Sequence, residues 1–224
     1  MTSPSDILLP VVEISTGDSP ELAIIWLHGL GADGHDFEPI VPELDLPIPA
    51  RFVFPHAPVR PITVNGGMEM RGWYDILGFG MNMRQDAVGI RASAAAVTRL
   101  IDREIERGLA ASQIVLAGFS QGGAIALHTA LRELRSLAGV LALSTYLPIG
   151  DSLAAERTPA NAGLPIFMAH GSADPLLPLA LAESSRRTLQ GLGYAVDWHV
   201  YPMQHSVCAE EIAAIAAWLV QRVV

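Results

Sequence analysis

Short, unbroken apolar runs recur along this chain, and segments with helical periodicity separate them. The runs are Leu22–Leu27, Arg51–Phe54, Gln113–Ala117, Val140–Leu143, Pro165–Ala169 and Val196–Tyr201. Runs of about four to eight such residues suit strands buried on both faces. Helical spacing marks Asp86–Arg107, with Gly108 as its stop, and then Gly122–Leu134, Leu179–Leu192 and Val207–Val220. Strands alternating with helices predict an α/β fold, a mostly parallel central sheet with helices on both faces. Val11–Ile14 is expected to be an antiparallel edge strand. No repeat, low-complexity tract or linker divides the 224 residues, so residues 1–224 read as a single domain.

Composition narrows the function classes. Half of the residues are hydrophobic and 17% are charged, which excludes a disordered chain. The net charge is −9, and all 14 basic residues are arginines. Such a surface repels phosphate backbones and anionic membranes, so no nucleic-acid partner is expected. A lone cysteine excludes an internal disulfide and a paired-cysteine zinc site. The N-terminus lacks a basic segment followed by a long apolar run, and Ile212–Val220 is too short to span a bilayer. A cytoplasmic protein without stable membrane insertion is the expectation.

The segment 55–84 breaks the alternation. It carries Pro, Gly and Asn, four of the seven methionines (Met68, Met70, Met81, Met83), and Trp73, Tyr74 and Phe79. Loops this long inside a compact domain tend to be functional. Two readings stand: a surface loop over core, or an adaptable apolar wall for a substrate, since thioethers fill irregular space.

Gly118-Phe-Ser120-Gln-Gly122 matches G-x-S-x-G, and its setting matters more than the pattern. A strand precedes it and a helix follows, as the motif's sharp strand-to-helix turn requires. Positions two before and two after the serine must be small, because strand and helix crowd there. The first helical N–H groups lack internal partners, so the Gln121 amide would face charge developing beside Ser120. A second donor belongs on a loop after an earlier strand. His28-Gly29-Leu30-Gly31 is the glycine-rich strand end upstream, making the Leu30 amide the candidate. Two such donors form an oxyanion hole.

A nucleophilic serine needs a base, and the base needs an orienting acid. On sheets of this kind the chain order is Ser, then Asp or Glu, then His. His128 lies in the helix after the serine, His199 lies inside a strand, and His170 precedes the candidate acid. His205 follows the last strand, where such sheets place their chemistry. Asp174 stands after the strand ending at Ala169, whereas Asp197 is within a strand and Asp151 sits in a loose Pro/Gly context. Ser120, Asp174 and His205 are therefore the expected triad for acyl transfer.

Other constellations carry less. Gly29-x-Gly31-x-x-Gly34 follows a strand like a dinucleotide fingerprint. However, Asp33 puts a carboxylate where a pyrophosphate would sit, and no acid stands at the end of the second strand. No cofactor is expected. His28, Asp33, His35 and Asp36 are metal-ligand types without a second cluster, so no metal is expected either. Cys208 reads as a small buried hydrophobe.

Six blocks together carry a resemblance. They are His28-Gly-Leu-Gly-Ala-Asp-Gly-His35-Asp, Phe54-Pro-His-Ala-Pro58, Met70-Arg-Gly-Trp-Tyr-Asp75, Gly118-Phe-Ser-Gln-Gly-Gly123, His170-Gly-Ser-Ala-Asp174 and Met203-Gln-His205. In this order they resemble the small carboxylesterase and acyl-protein thioesterase (phospholipase/carboxylesterase) family, with the look of its bacterial carboxylesterases. The resemblance implies an α/β-hydrolase fold with no separate cap domain. It implies Ser120, Asp174 and His205 as the triad, with Leu30 and Gln121 as oxyanion donors. It also implies an apolar acyl groove built partly from the 55–84 excursion, with Met70 and Trp73, and partly from residues near Leu176. Trp73 is read as either a substrate contact or an anchor, and Tyr74 and Asp75 as anchors. A homodimer through the active-site face is implied, and no metal. The expected activity is hydrolysis of carboxylic esters with short to medium acyl chains. The alternative is an acyl-protein thioesterase (a depalmitoylase) or lysophospholipase using the same triad, with a lipid ester or an acylated protein as substrate.

Overall fold

The computed structural model describes residues 8–78 and 84–222. Its main sheet has seven strands: β1 (Val11–Ser15), β2 (Leu22–Leu27), β3 (Ala50–Pro55), β6 (Ile114–Phe119), β7 (Gly139–Leu143), β8 (Ile166–Gly171) and β9 (Val196–Tyr201). Their order across the sheet is β1-β3-β2-β6-β7-β8-β9, and all but β1 run parallel. The antiparallel edge strand expected at the N-terminus is present. The central strands are buried along their whole length because both faces are covered.

Side-chain alternation divides the core in two. Ala23, Ile25 and Leu27 of β2 join Leu116 of β6 and Met168 of β8 on one face. Helices α2 (Ala87–Glu106) and α3 (Gln121–Ala130) cover that face, and α5 (Leu179–Gly191) inserts Leu189 into it. Leu22, Ile24 and Trp26 face the other way with Phe52, Phe54 and Phe167. There, α1 (Ile40–Leu44) and α6 (Ala209–Val220) pack against each other and on the sheet.

Helix bounds follow local chemistry. The Asp86 side chain caps α2 by accepting the Gly89 amide at 2.9 Å. Gly108, with φ +104°, turns the chain out of α2 at its other end. Helix α3 stops at Ala130, short of the expected Leu134. The reason is that the Glu133 carbonyl is recruited outside the helix, by Thr158 Oγ1 at 2.6 Å and Asn161 Nδ2 at 2.7 Å. A short four-residue helix, α4 (Leu153–Glu156), precedes β8.

The excursion after β3 is a hairpin, β4 (Val59–Ile62) and β5 (Met68–Arg71), paired antiparallel apart from the main sheet. A single 3₁₀ turn at Thr63–Asn65 joins its strands, followed by Gly66 and Gly67 at φ +67° and +81°. Phe79, Met81 and Met83 lie outside the described residues. Among the described residues no helix is long and apolar enough to cross a membrane.

Candidate active site

Ser120 stands between β6 and α3 with φ +55° and ψ −120°. A serine in that region stores of order 1–3 kcal/mol of strain, and its surroundings must hold it there. The Ser120 amide donates to the Leu143 carbonyl at 2.8 Å, and Thr145 Oγ1 donates to the Ser120 carbonyl at 2.6 Å. The flanking glycines are required by contact. A methyl on Gly118 would lie 2.4 Å from the Gly122 carbonyl oxygen, and one on Gly122 would lie 2.3 Å from the Leu27 carbonyl oxygen.

His205 lies on the segment between β9 and α6. Its Nε2 is 2.8 Å from Ser120 Oγ, and its Nδ1 is 2.6 Å from Asp174 Oδ2. Its ring rests against Phe119, with centroids 4.7 Å apart. Asp174 follows β8, and its second oxygen accepts the Leu176 and Leu177 amides, each at 2.9 Å. Burial alone would raise this carboxyl's pKa. The Leu177 amide, His205 and the Leu176 amide outweigh burial and hold it below the ordinary range. Asp174 is thus kept as an anion, facing the imidazole nitrogen that must carry a proton.

The loops bearing Asp174 and His205 are stitched to each other. The Ser172 amide donates to the Tyr201 carbonyl at 2.8 Å, and the Ala173 amide donates to the Met203 carbonyl at 3.1 Å. A methyl on Gly171 would sit 2.2 Å from the Gln204 carbonyl oxygen, so only glycine permits this approach.

Gln121 follows Ser120 directly in the chain, and the loop that carries Leu30 approaches Ser120 at Gly29. The Gly29 position is so close that a methyl there would be 3.6 Å from Ser120 Cβ. Gln121 is the first residue of α3. Among the described residues neither amide has a hydrogen-bond partner.

The expected substrate contacts divide. Met70 is half-buried, and a methyl on Gly31 would meet its sulfur at 3.9 Å, so its thioether flanks the loop of Leu30. Leu176 is 65% exposed beside Asp174, and Met68 on the hairpin is 63% exposed. Trp73, by contrast, has no exposed surface. Its Nε1–H donates to the His28 carbonyl at 2.9 Å and its amide donates to Gln121 Oε1 at 2.7 Å. The structure places Trp73 as an anchor and not as a substrate contact: a closed core leaves no face for a ligand. Tyr74 and Asp75 anchor as expected. Tyr74 Oη pairs with Tyr146 Oη at 2.9 Å, and Asp75 accepts the Thr63 amide at 2.7 Å.

Sequence reasoning passed over His170 because it precedes the acid. It is fully buried behind Asp174, with Nε2 donating to the Leu177 carbonyl at 2.8 Å and lying 3.4 Å from Asp174 Oδ2. Burial lowers its pKa and keeps it neutral. Its place at the C-terminal end of an apolar run was the available signal. Among the described residues, no group of three or more His, Cys, Asp or Glu side chains is arranged to hold a metal.

A parallel α/β sheet with a strained serine, a histidine and a buried aspartate at its C-terminal edge defines a serine hydrolase. The chain belongs to the phospholipase/carboxylesterase family, which it matches over residues 10–222. It is 40% identical to acyl-protein thioesterase 1 of Neurospora crassa, across 96% of this chain and 91% of that protein. It is 39% identical to acyl-protein thioesterase 1 of Gibberella zeae, across 88% of each. Among solved structures, Arabidopsis thaliana SOBER1 superposes with a TM-score of 0.86 at 29% identity, covering 91% of this chain and 99% of that one. Zea mays acyl-protein thioesterase 2 superposes equally well, with a TM-score of 0.86 at 26% identity, covering 96% and 99%. The protein is a hydrolase of the α/β-hydrolase fold, and no separate cap is evident among the described residues.

Proposed function

We propose that this chain cleaves acyl groups from ester and thioester linkages through an acyl-enzyme on Ser120, with acylated proteins as its principal substrate class. The observation that carries this reading is the hydrogen-bonded series Ser120 Oγ, His205 Nε2, His205 Nδ1, Asp174 Oδ2, at 2.8 and 2.6 Å. His205 takes the Ser120 proton as the oxygen attacks the acyl carbonyl. The carbonyl oxygen becomes an oxyanion facing the Leu30 and Gln121 amides. Asp174 fixes the imidazole tautomer and stabilises the imidazolium. His205 then protonates the departing alcohol or thiol. The acyl-enzyme is cleared by a water that His205 activates in turn.

Met70 and Leu176 are the contacts we assign to the acyl chain, one flanking the Leu30 loop and the other beside Asp174. Relatives named acyl-protein thioesterase support acylated proteins over the simple short- to medium-chain esters expected from sequence. The homodimer and the cytoplasmic location belong to the same reading, tested by sedimentation equilibrium and by cell fractionation.

The test compares kcat/KM on nitrophenyl esters from acetate to palmitate with kcat/KM on an S-palmitoylated peptide, for the native protein and Ser120→Ala. The palmitoyl thioester is expected to outrun the nitrophenyl palmitate. The variant is expected to lose about 10⁴-fold or more on every substrate. Native turnover by Ser120→Ala would overturn the mechanism. Ester turnover without thioester turnover would return the reading to a carboxylesterase.

A further inference from the structure

Catalytic donors must be held within roughly 0.5 Å and 10–20° of productive geometry. Leu30 lies on irregular backbone, so something outside the triad must aim its amide. The residues flanking it in the fold are joined by a chain of hydrogen bonds.

His28 is 2% exposed. The Ala57 amide points at its Nε2 from 3.1 Å, and its Nδ1 lies 2.7 Å from the Gly29 carbonyl oxygen. An amide can only donate, so Nε2 is the bare acceptor and the ring proton is on Nδ1. Burial pushes the imidazole pKa down, which suits a ring that must stay neutral to make both bonds. The Gly29 carbonyl and the Leu30 N–H belong to one planar peptide, and in a trans peptide they point in opposite directions. Drawing the oxygen toward His28 turns the N–H away from it. The Ala32 amide, 3.3 Å from the same oxygen, adds a second hold.

Trp73 joins this loop to the other donor. Its indole N–H binds the His28 carbonyl at 2.9 Å, while its amide binds Gln121 Oε1 at 2.7 Å. Gln121 Nε2 returns a bond to the Tyr74 carbonyl at 2.7 Å. Trp73 therefore spans from the residue two before Leu30 to the side chain of the residue whose own amide is the second donor. The Trp73 and His28 rings pack with centroids 5.3 Å apart.

We propose that His28 and Trp73 form a buried brace that sets the aim and spacing of the Leu30 and Gln121 amides. Both are thereby positioning residues for acyl transfer and more than packing residues. The proposal rests on the serine-hydrolase reading above.

The test uses His28→Leu, which loses both ring bonds, His28→Asn, which keeps a donor near Gly29, and Trp73→Phe, which loses the indole N–H. Three quantities are read on nitrophenyl butyrate: kcat, KM, and the inhibition constant of an alkyl trifluoromethyl ketone, whose serine adduct carries an oxyanion. Thermal midpoints are recorded beside them. We expect kcat to fall about 10- to 100-fold in His28→Leu and less in Trp73→Phe, with KM within about threefold of native. Ketone affinity should fall by the same factor as kcat/KM, since both read the tetrahedral state. His28→Asn should recover part of the loss.

Variants that fold at assay temperature with native kcat and ketone affinity would overturn the brace while leaving the hydrolase reading intact. A native protein inactive on esters and thioesters alike, and unlabelled by a fluorophosphonate, would overturn both. One measurement needs no variant. Nitrogen-15 NMR of native protein at pH 7 is expected to show His28 protonated at Nδ1 and bare at Nε2. The opposite tautomer, or an imidazolium, would overturn the proposal even if every variant failed to fold.

Discussion

Glu211, in the first turn of α6, is fully buried, and neither carboxylate oxygen has a well-aligned hydrogen-bond partner among the described residues. Burial pushes its pKa up to about 8, against an ordinary 4.5, with the Cys208 amide pulling weakly the other way. The Tyr201 phenol, itself raised to about 12 by burial first and by Glu211 next, offers no compensating positive charge. The unfolded chain releases this proton near pH 4.5 and the folded chain holds it to about pH 8. Between those limits the folded state binds one more proton than the unfolded state. Stability therefore falls with rising pH, at about 1.4 kcal/mol per unit. The loss is fully avoided below the lower pKa and complete above the upper one. The whole window is worth ~5 kcal/mol at most, of which ~3 kcal/mol has accrued by pH 7.

Glu211→Gln removes the titration while keeping the shape. Its buried amide brings its own constant cost of ~1–3 kcal/mol, so the slope is the informative quantity and not the offset. The assay is urea denaturation of both proteins at pH 5, 6, 7, 8 and 9. The difference in unfolding free energy should move in favour of Glu211→Gln from pH 5 to about 8 and then level off. Parallel curves for the two proteins would show that Glu211 is not neutral in the folded state, and the reasoning would fail.

Two further perturbations test the frame. Gly122→Ala puts a methyl against the Leu27 and His28 carbonyl oxygens, at 2.3 and 2.5 Å, so backbone must move. We expect it to cost ~1–3 kcal/mol or more, together with at least tenfold in kcat, since the moved segment leads into Leu30; native values in denaturation and turnover would refute this. Glu104 is fully buried and binds Arg51 at 2.6 Å, Arg103 at 2.7 Å and Arg107 at 3.1 Å. Glu104→Ala leaves Arg103 and Arg107 paired to Glu13, but strands Arg51, which is only 11% exposed, with Glu13 no nearer than 3.7 Å. The expected loss is ~3–5 kcal/mol, read by calorimetry as a Tm lower by roughly 10 °C.

The legible parts of this protein share a physical cause. Apolar runs had to be continuous because both faces of the sheet are covered, so the six parallel strands showed in the sequence. Ser120, Asp174 and His205 could be picked out because their chemistry demands residue types and their sheet demands strand ends. The hairpin at 59–71 did not show. Its strands are four residues each and only one of the eight residues is buried, with Pro61 in one strand, so no alternation marks them. Helix α1 is five residues long, too short to express a period. The end of α3 was missed because Glu133 is drawn out by Thr158 and Asn161, partners some 25 residues on.

Trp73 shows why the excursion was harder to read than the triad. By composition it fitted an apolar wall, and composition does not say which aromatic faces inward. The structure spends the polar atoms of 73–75 on anchoring: Trp73 to His28 and Gln121, Tyr74 to Tyr146, and Asp75 to Thr63. Trp73 is tied to the residues that flank Leu30 and Ser120, Tyr74 to the segment after β7, and Asp75 to the hairpin's own turn. On β5 the unbranched Met68 is exposed and Met70 is half-buried beside the Leu30 loop. A rigid base under flexible thioethers separates two demands that conflict in one loop. The amides facing the reacting oxygen must not move, whereas the wall beside the acyl chain gains from yielding. On the proposed division, substitutions at Met70 are expected to change which acyl chains are accepted, and substitutions at His28 or Trp73 how fast any of them is cleaved.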